Sequence, residues 1–164
     1  MCLHSNRYKT HELISSDKEE FTFYKVYCLI LERNVMMSPF NRSEYTFDPT
    51  QAVLSVFSGR TSNHCTSIVN EGIHAFIDKK EAFELKRKLI EANVEVVKAY
   101  GESAKISYHN PQVFEIKCSK DDIIAVGTCS IANISGSDSI YQSVVMMQGD
   151  VTLKPITEDV EVCA

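Results

Sequence analysis

Glycine is scarce in this sequence and nowhere clustered, with six residues in 164. A backbone cradle for phosphate needs a glycine-rich turn, and neither a P-loop nor a G-x-G-x-x-G turn occurs. H-E-x-x-H and G-x-S-x-G are also missing, which removes the zinc-protease helix and the hydrolase nucleophile elbow. No apolar run approaches the ~20 residues of a membrane span, so no membrane partner is expected. The six cysteines, Cys2, Cys28, Cys65, Cys118, Cys129 and Cys163, include no C-x-x-C pair, so neither a zinc knuckle nor a redox motif is marked and no metal or cofactor is expected. The first residues are polar and lack the apolar stretch of a secretory signal. The expectation is therefore reduced thiols in the cytoplasm. Cationic excess is absent as well. Seventeen Lys and Arg against 22 Asp and Glu leave a formal charge of -5, and nucleic acid is not an expected partner, because that affinity comes from cations that release counterions.

What is present suits a globular domain. Hydrophobic residues make up 44% and charged residues 24% of the chain, and a chain of this length buries roughly 70% of its unfolded surface without staples. No repeat, linker or low-complexity tract divides it. The organisation expected is a polar arm over 1–20, one α+β domain over 21–156 and an acidic tail over 157–164.

Phe21 to Leu31 is aromatic and β-branched on both alternating faces, with Lys25 the one clearly polar member. That pattern predicts a central strand covered on both sides. Tyr45–Phe47 and Gln51–Phe57 are shorter strand candidates, and Gly72–Ile77 is another. Asp78 is a candidate N-cap with Glu81 three residues on. Ala82, Leu85, Leu89 and Ala92 then recur on one stripe, which predicts an amphipathic helix over about 79–92 with Asn93 as its C-cap. Lys86, Arg87 and Lys88 suit the end of such a helix and can pair with Glu81, Glu84 and Glu91 at helical spacing. After it, Val94–Tyr100 is predicted as a strand. Gln112–Cys118 alternates, with Phe114, Ile116 and Cys118 on one face. Ile140–Met147 and Val151–Ile156 flank Gln148-Gly149-Asp150 as a predicted hairpin. The fold class is therefore α+β, a single domain with a mostly antiparallel sheet and one main helix.

Two clusters carry potential chemistry. In the first, Gly72, His74 and Phe76 share a strand face, and a glycine there lets a ligand or another backbone come close. A neighbouring histidine can bind a polar ligand or move a proton; a histidine satisfied within the core is the competing reading. In the second, Tyr24, Lys25 and Tyr27, with Arg42 after the Ser38-Pro39 break, combine rings and cations as a nucleotide would require. A core strand with one exposed cation is the alternative. The candidate ligand-binding set is thus Tyr24, Lys25, Arg42, Gly72, His74 and Phe76. No catalytic residue is marked.

Met1-Cys2-Leu3, Tyr24-Lys25-Val26, Ser38-Pro39-Phe40, Gly72-Ile73-His74-Ala75-Phe76, Glu115-Ile116-Lys117-Cys118 and the lone Gly127 follow in this order, with a last strand pair ending near Lys154. The arrangement resembles a family of small uncharacterised proteins encoded by tailed bacteriophages and prophages, over most of residues 1–156. Ser119-Lys120-Asp121 stands where that family carries a Pro-Lys-Gly turn. The family has no agreed activity to carry over. Separately, the Gly72–Phe76 strand and the helix containing Ala82 look like the central strand and helix of ADP-ribosyltransferase-like folds. That likeness implies that His74 faces a dinucleotide and that a late-strand glutamate is catalytic. The strands at 140–147 and 151–156 hold no glutamate, so the likeness implies binding at most.

These expectations converge on a phage-type accessory binding protein that sequesters a nucleotide-derived defence signal of the host. A host-protein-binding or structural protein using a sheet edge is the alternative, and an ADP-ribosyltransferase-like enzyme on a dinucleotide is a third. Homo-oligomerisation is compatible with each.

Overall fold

The strand predicted at Phe21–Leu31 is the longest among the described residues and organises the rest. In the computed structural model, which describes residues 3–39, 44–46, 53–56, 68–69, 72–131, 139–144 and 149–158, it runs from Glu20 to Ile30. In chain order the elements are β1 (Leu3–Ser5), α1 (Arg7–Ile14), β2 (Glu20–Ile30), β3 (Val35–Met37), β4 (Glu44–Thr46), β5 (Val53–Val56), β6 (Ile68–Val69) and β7 (Ala75–Phe76). Then come α2 (Lys79–Tyr100), β8 (Pro111–Ser119), β9 (Val126–Ile131), β10 (Ser139–Val144) and β11 (Gly149–Ile156). Short 3-10 turns lie at Leu31–Arg33 and Lys120–Asp122.

The strands form one sheet in the order β5-β11-β8-β2-β7-β10-β9-β1-β6, and β3 branches off β2 to carry β4. Every strand pairing among the described residues is antiparallel. With two α-helices beside it, this is the single α+β domain that the patterning predicts. β2 and β8 make the longest ladder, from Glu20 opposite Ser119 to Cys28 opposite Pro111.

Alternation along β2 divides the core in two, as period 2 requires. Phe21, Phe23 and Tyr27 point into one cluster with Phe114, Ile116 and Cys118 of β8, Leu153 of β11, Ile73 and Ala75 beside or on β7, and Val126 of β9. Val26 and Cys28 point into the other, under α2, with Phe76, Val113, Ala82, Phe83, Leu85 and Leu89. Each Val, Leu, Ile or Phe among them taken fully from water contributes about 1.5–3 kcal/mol.

Four expectations are corrected. Residues 1–20 are more than an arm: β1 is wedged between β6 and β9, with Leu3 opposite Val69 and Cys129, and Leu3 is fully buried. Thr10 of α1 receives the Val126 N–H on its hydroxyl at 2.9 Å, which ties α1 to β9. Secondly, the helix does not stop at Ala92. It continues through the segment predicted as a strand and ends at Gly101, whose φ of +87° is a backbone state that favours glycine. Asn93 is not a cap; its side-chain amide clasps the Tyr108 backbone from both sides, at 2.5 and 3.2 Å. Thirdly, the strand expected over 72–77 is only Ala75–Phe76, because Gly72 sits at φ +96° and breaks the extended run. Finally, β10 and β11 are not hairpin partners. β10 lies between β9 and β7, and β11 between β8 and β5, so both edges of each strand are already taken. The Asp78 cap holds, with its carboxylate accepting the Lys80 N–H at 2.8 Å, and Lys88 pairs with Glu84 at 3.1 Å as the helical spacing predicts.

Candidate functional site

The two clusters singled out in the sequence meet where β7 crosses β2. Tyr24 and Phe76 are register partners there, the one residue pair joining these two strands. Phe76 is buried beneath α2, and Tyr24 packs against the same cluster while remaining partly exposed. Gly72 supplies the left-handed turn that brings the chain into β7. Arg42 lies outside the described residues.

Lys25 is the unusual member. It occupies the core face of β2 between Phe23 and Tyr27 and is 7% exposed. Its Nζ donates to the His74 carbonyl at 2.7 Å and stands 5.2 Å from the centre of the Tyr27 ring. Tyr27 in turn meets Phe114 edge to face, with centroids 5.8 Å apart. Burial pushes the Lys25 ammonium down from 10.5 to about 8, and Cys129 on β9 acts weakly in the opposite sense. The cation is held by a main-chain oxygen and an aromatic face, which suit an ammonium in a dry setting.

His74 is 5% exposed. Its backbone carbonyl meets Lys25. The crossing therefore brings together Tyr24, Lys25, Gly72, His74 and Phe76, but inside the protein, with Lys25, His74 and Phe76 all buried. The alternative of a core strand with one exposed cation is corrected by the face Lys25 occupies: residues 21, 23, 25 and 27 share one side of β2, and that side is the core. Tyr27, which the sequence groups with Tyr24 and Lys25, lies on that same face beside the ammonium. Cys129 is the neighbour that sequence reasoning missed, because β9 and β2 are distant in sequence.

The other reactive groups are also quiet. Cys28, Cys118 and Cys129 are buried and outside any disulfide, and burial pushes Cys28 and Cys118 up to about 12, which keeps them as thiols. No group of three metal-ligating side chains gathers among the described residues, and no described helix is long and apolar enough to cross a membrane.

The outer half of α2 is a different kind of surface. The buried positions of this helix end at Leu89. Beyond it, Ile90 is 42% and Val94 44% exposed, Val97 is half-buried and Tyr100 is 79% exposed. Ile90, Val94 and Val97 follow the i, i+4, i+7 spacing of one helical stripe. Glu91 and Lys98 lie along the solvent side of that stripe, and both are exposed.

No protein family, curated protein or solved structure matches this chain.

Proposed function

We propose that this is an accessory binding protein that acts by engaging another protein chain through the outer half of α2. The observation that carries this reading is the contrast in exposure. The cation and histidine selected for nucleotide binding are spent inside the core, whereas apolar side chains line the open end of α2. Apolar stripes rimmed by charge are what protein partners cover. The resemblance to phage-encoded proteins makes a host protein the partner class. The test is affinity capture with wild type and Val94→Arg side by side. The expected result is a partner held by the first and lost by the second, with matching circular dichroism. Identical capture by both would remove α2 as the working surface.

The nucleotide-sequestering reading keeps one observation in its favour, the meeting of Tyr24, Lys25, His74 and Phe76 at a single crossing. Heat-denaturing the purified protein and analysing the supernatant for nucleotides tests it. A stoichiometric nucleotide, lost in Tyr24→Ala, would move the function back to that crossing.

A further inference from the structure

The stripe on α2 has a charge pattern that selects its occupant. Glu91 lies three residues before Val94, and Lys98 lies four after it, on the same flank. From Ile90 to Val97 the helix rises about 10 Å. A second α2 laid parallel about a two-fold axis would carry its Glu91–Lys98 flank to the opposite edge of the seam, so no Glu91–Lys98 pair could form across it. Laid antiparallel about a two-fold axis at Val94, it sets each Glu91 within one residue's rise of the Lys98 on the other copy. The stripe is thus complementary to itself under the symmetry that closed dimers use. We infer that the outer half of α2 is the seam of an antiparallel two-fold homodimer, with Ile90, Val94 and Val97 at its centre and reciprocal Glu91–Lys98 pairs at its edge.

The neighbouring structure leaves this seam open. The segment after Gly101 folds back along the other flank of the helix, where Asn93 holds Tyr108, and Ile90 and Val94 remain well exposed beside it. Among the described residues Lys98 is engaged only by Glu95 of its own helix, at 3.2 Å and with both side chains mostly in water. Such a pair contributes little and yields readily to a new partner. One heptad of apolar contact is smaller than the roughly 800 Å² per partner of a standard interface. The dissociation constant therefore falls on the order of ten micromolar or weaker.

The inference rests on α2 being the working surface, and sedimentation equilibrium of the purified chain from about 5 µM to 1 mM separates the two ideas. The expected result is a mass climbing from 18.5 kDa toward twice that value. Val94→Arg should stay monomeric with an unchanged far-ultraviolet spectrum. Glu91→Lys and Lys98→Glu alone should each weaken the dimer at least tenfold at low salt, and the double variant should recover it. A chain that remains monomeric to 1 mM overturns the dimer, as does a double variant no tighter than the singles. A monomeric wild type whose Val94→Arg form still loses its protein partner overturns the dimer alone. A dimer broken by Val94→Arg with partner capture unchanged overturns the partner reading alone.

Discussion

On one face of β2, Val26 and Cys28 meet α2 through apolar contact, with Tyr24 packed at the margin. On the other face, Phe21, Phe23 and Tyr27 build an equally buried layer, but Lys25 interrupts it with an ammonium. Both faces exclude water. They differ in how they respond to perturbation. The helix side depends on volume and shape and, in alkali, on the Cys28 thiol. The opposite side depends also on one hydrogen bond to the His74 carbonyl and on the protonation state of one amine. A strand flanked by two cores can thus carry a titratable group in one of them while the other has only thiols to ionise.

Truncation on each side should have the largest effect. Phe114→Ala, opposite Lys25, is expected to cost about 3–5 kcal/mol, and Leu89→Ala, beneath α2, about 2–5 kcal/mol, since both positions are buried and cannot collapse freely. Urea unfolding followed by far-ultraviolet and tyrosine signals measures both. Coincident transitions in each variant would show that β2 couples the two cores, and separated transitions would break the comparison into two independent units.

Gly127 gives a smaller effect confined to the side that holds Lys25. A Cβ at this position in β9 would fall onto the His4 backbone carbonyl of β1, so Gly127→Ala should cost about 1–3 kcal/mol. Hydrogen exchange should speed up at Leu3–Ser5 and leave α2 protected. Equal acceleration in α2 would contradict that confinement.

The pH response should be smallest, on the order of 1 kcal/mol per pH unit. Lys25 titrates near 8 when folded and near 10.5 when not. Between those values the unfolded chain binds one proton more, so stability rises with pH. Cys28 and Cys118 titrate at 9.0 unfolded and about 12 folded. Above pH 9 the unfolded thiols lose protons that the folded ones keep, so stability falls. One rising group against two falling ones places the maximum near pH 9. Urea midpoints from pH 7.5 to 10.5 should trace that peak. Lys25→Met should flatten the lower limb, and Cys28→Val with Cys118→Val the upper. A midpoint indifferent to pH in the wild type would remove the electrostatic half of the comparison.

β2 and β8 were legible in the sequence because alternation is local: Phe114, Ile116 and Cys118 share a face whatever surrounds them. Asp78 was legible as a cap for the same reason. The far end of α2 was misread because Val94, Val96 and Val97 are β-branched and no longer face the core stripe. The helix continues there through its own hydrogen-bond ladder and stops only where Gly101 adopts a positive φ. The site was half legible. Tyr24 with Phe76 and Lys25 with His74 do meet, but a strand with apolar residues on both sides does not say which of its faces will hold a cation in the dark. Short β1 lacked any periodicity to read, and only its neighbours β6 and β9 make it a strand.

By itself the sequence determined the α+β class, the doubly covered central strand and the start of its main helix, because spacing and capping act over a few residues. The tertiary structure alone decided that Lys25 is buried against a backbone carbonyl, that β10 and β11 part to opposite sides of β2, and that the end of α2 is left uncovered. Each of those depends on which distant segments come together in space, and no local pattern encodes that choice.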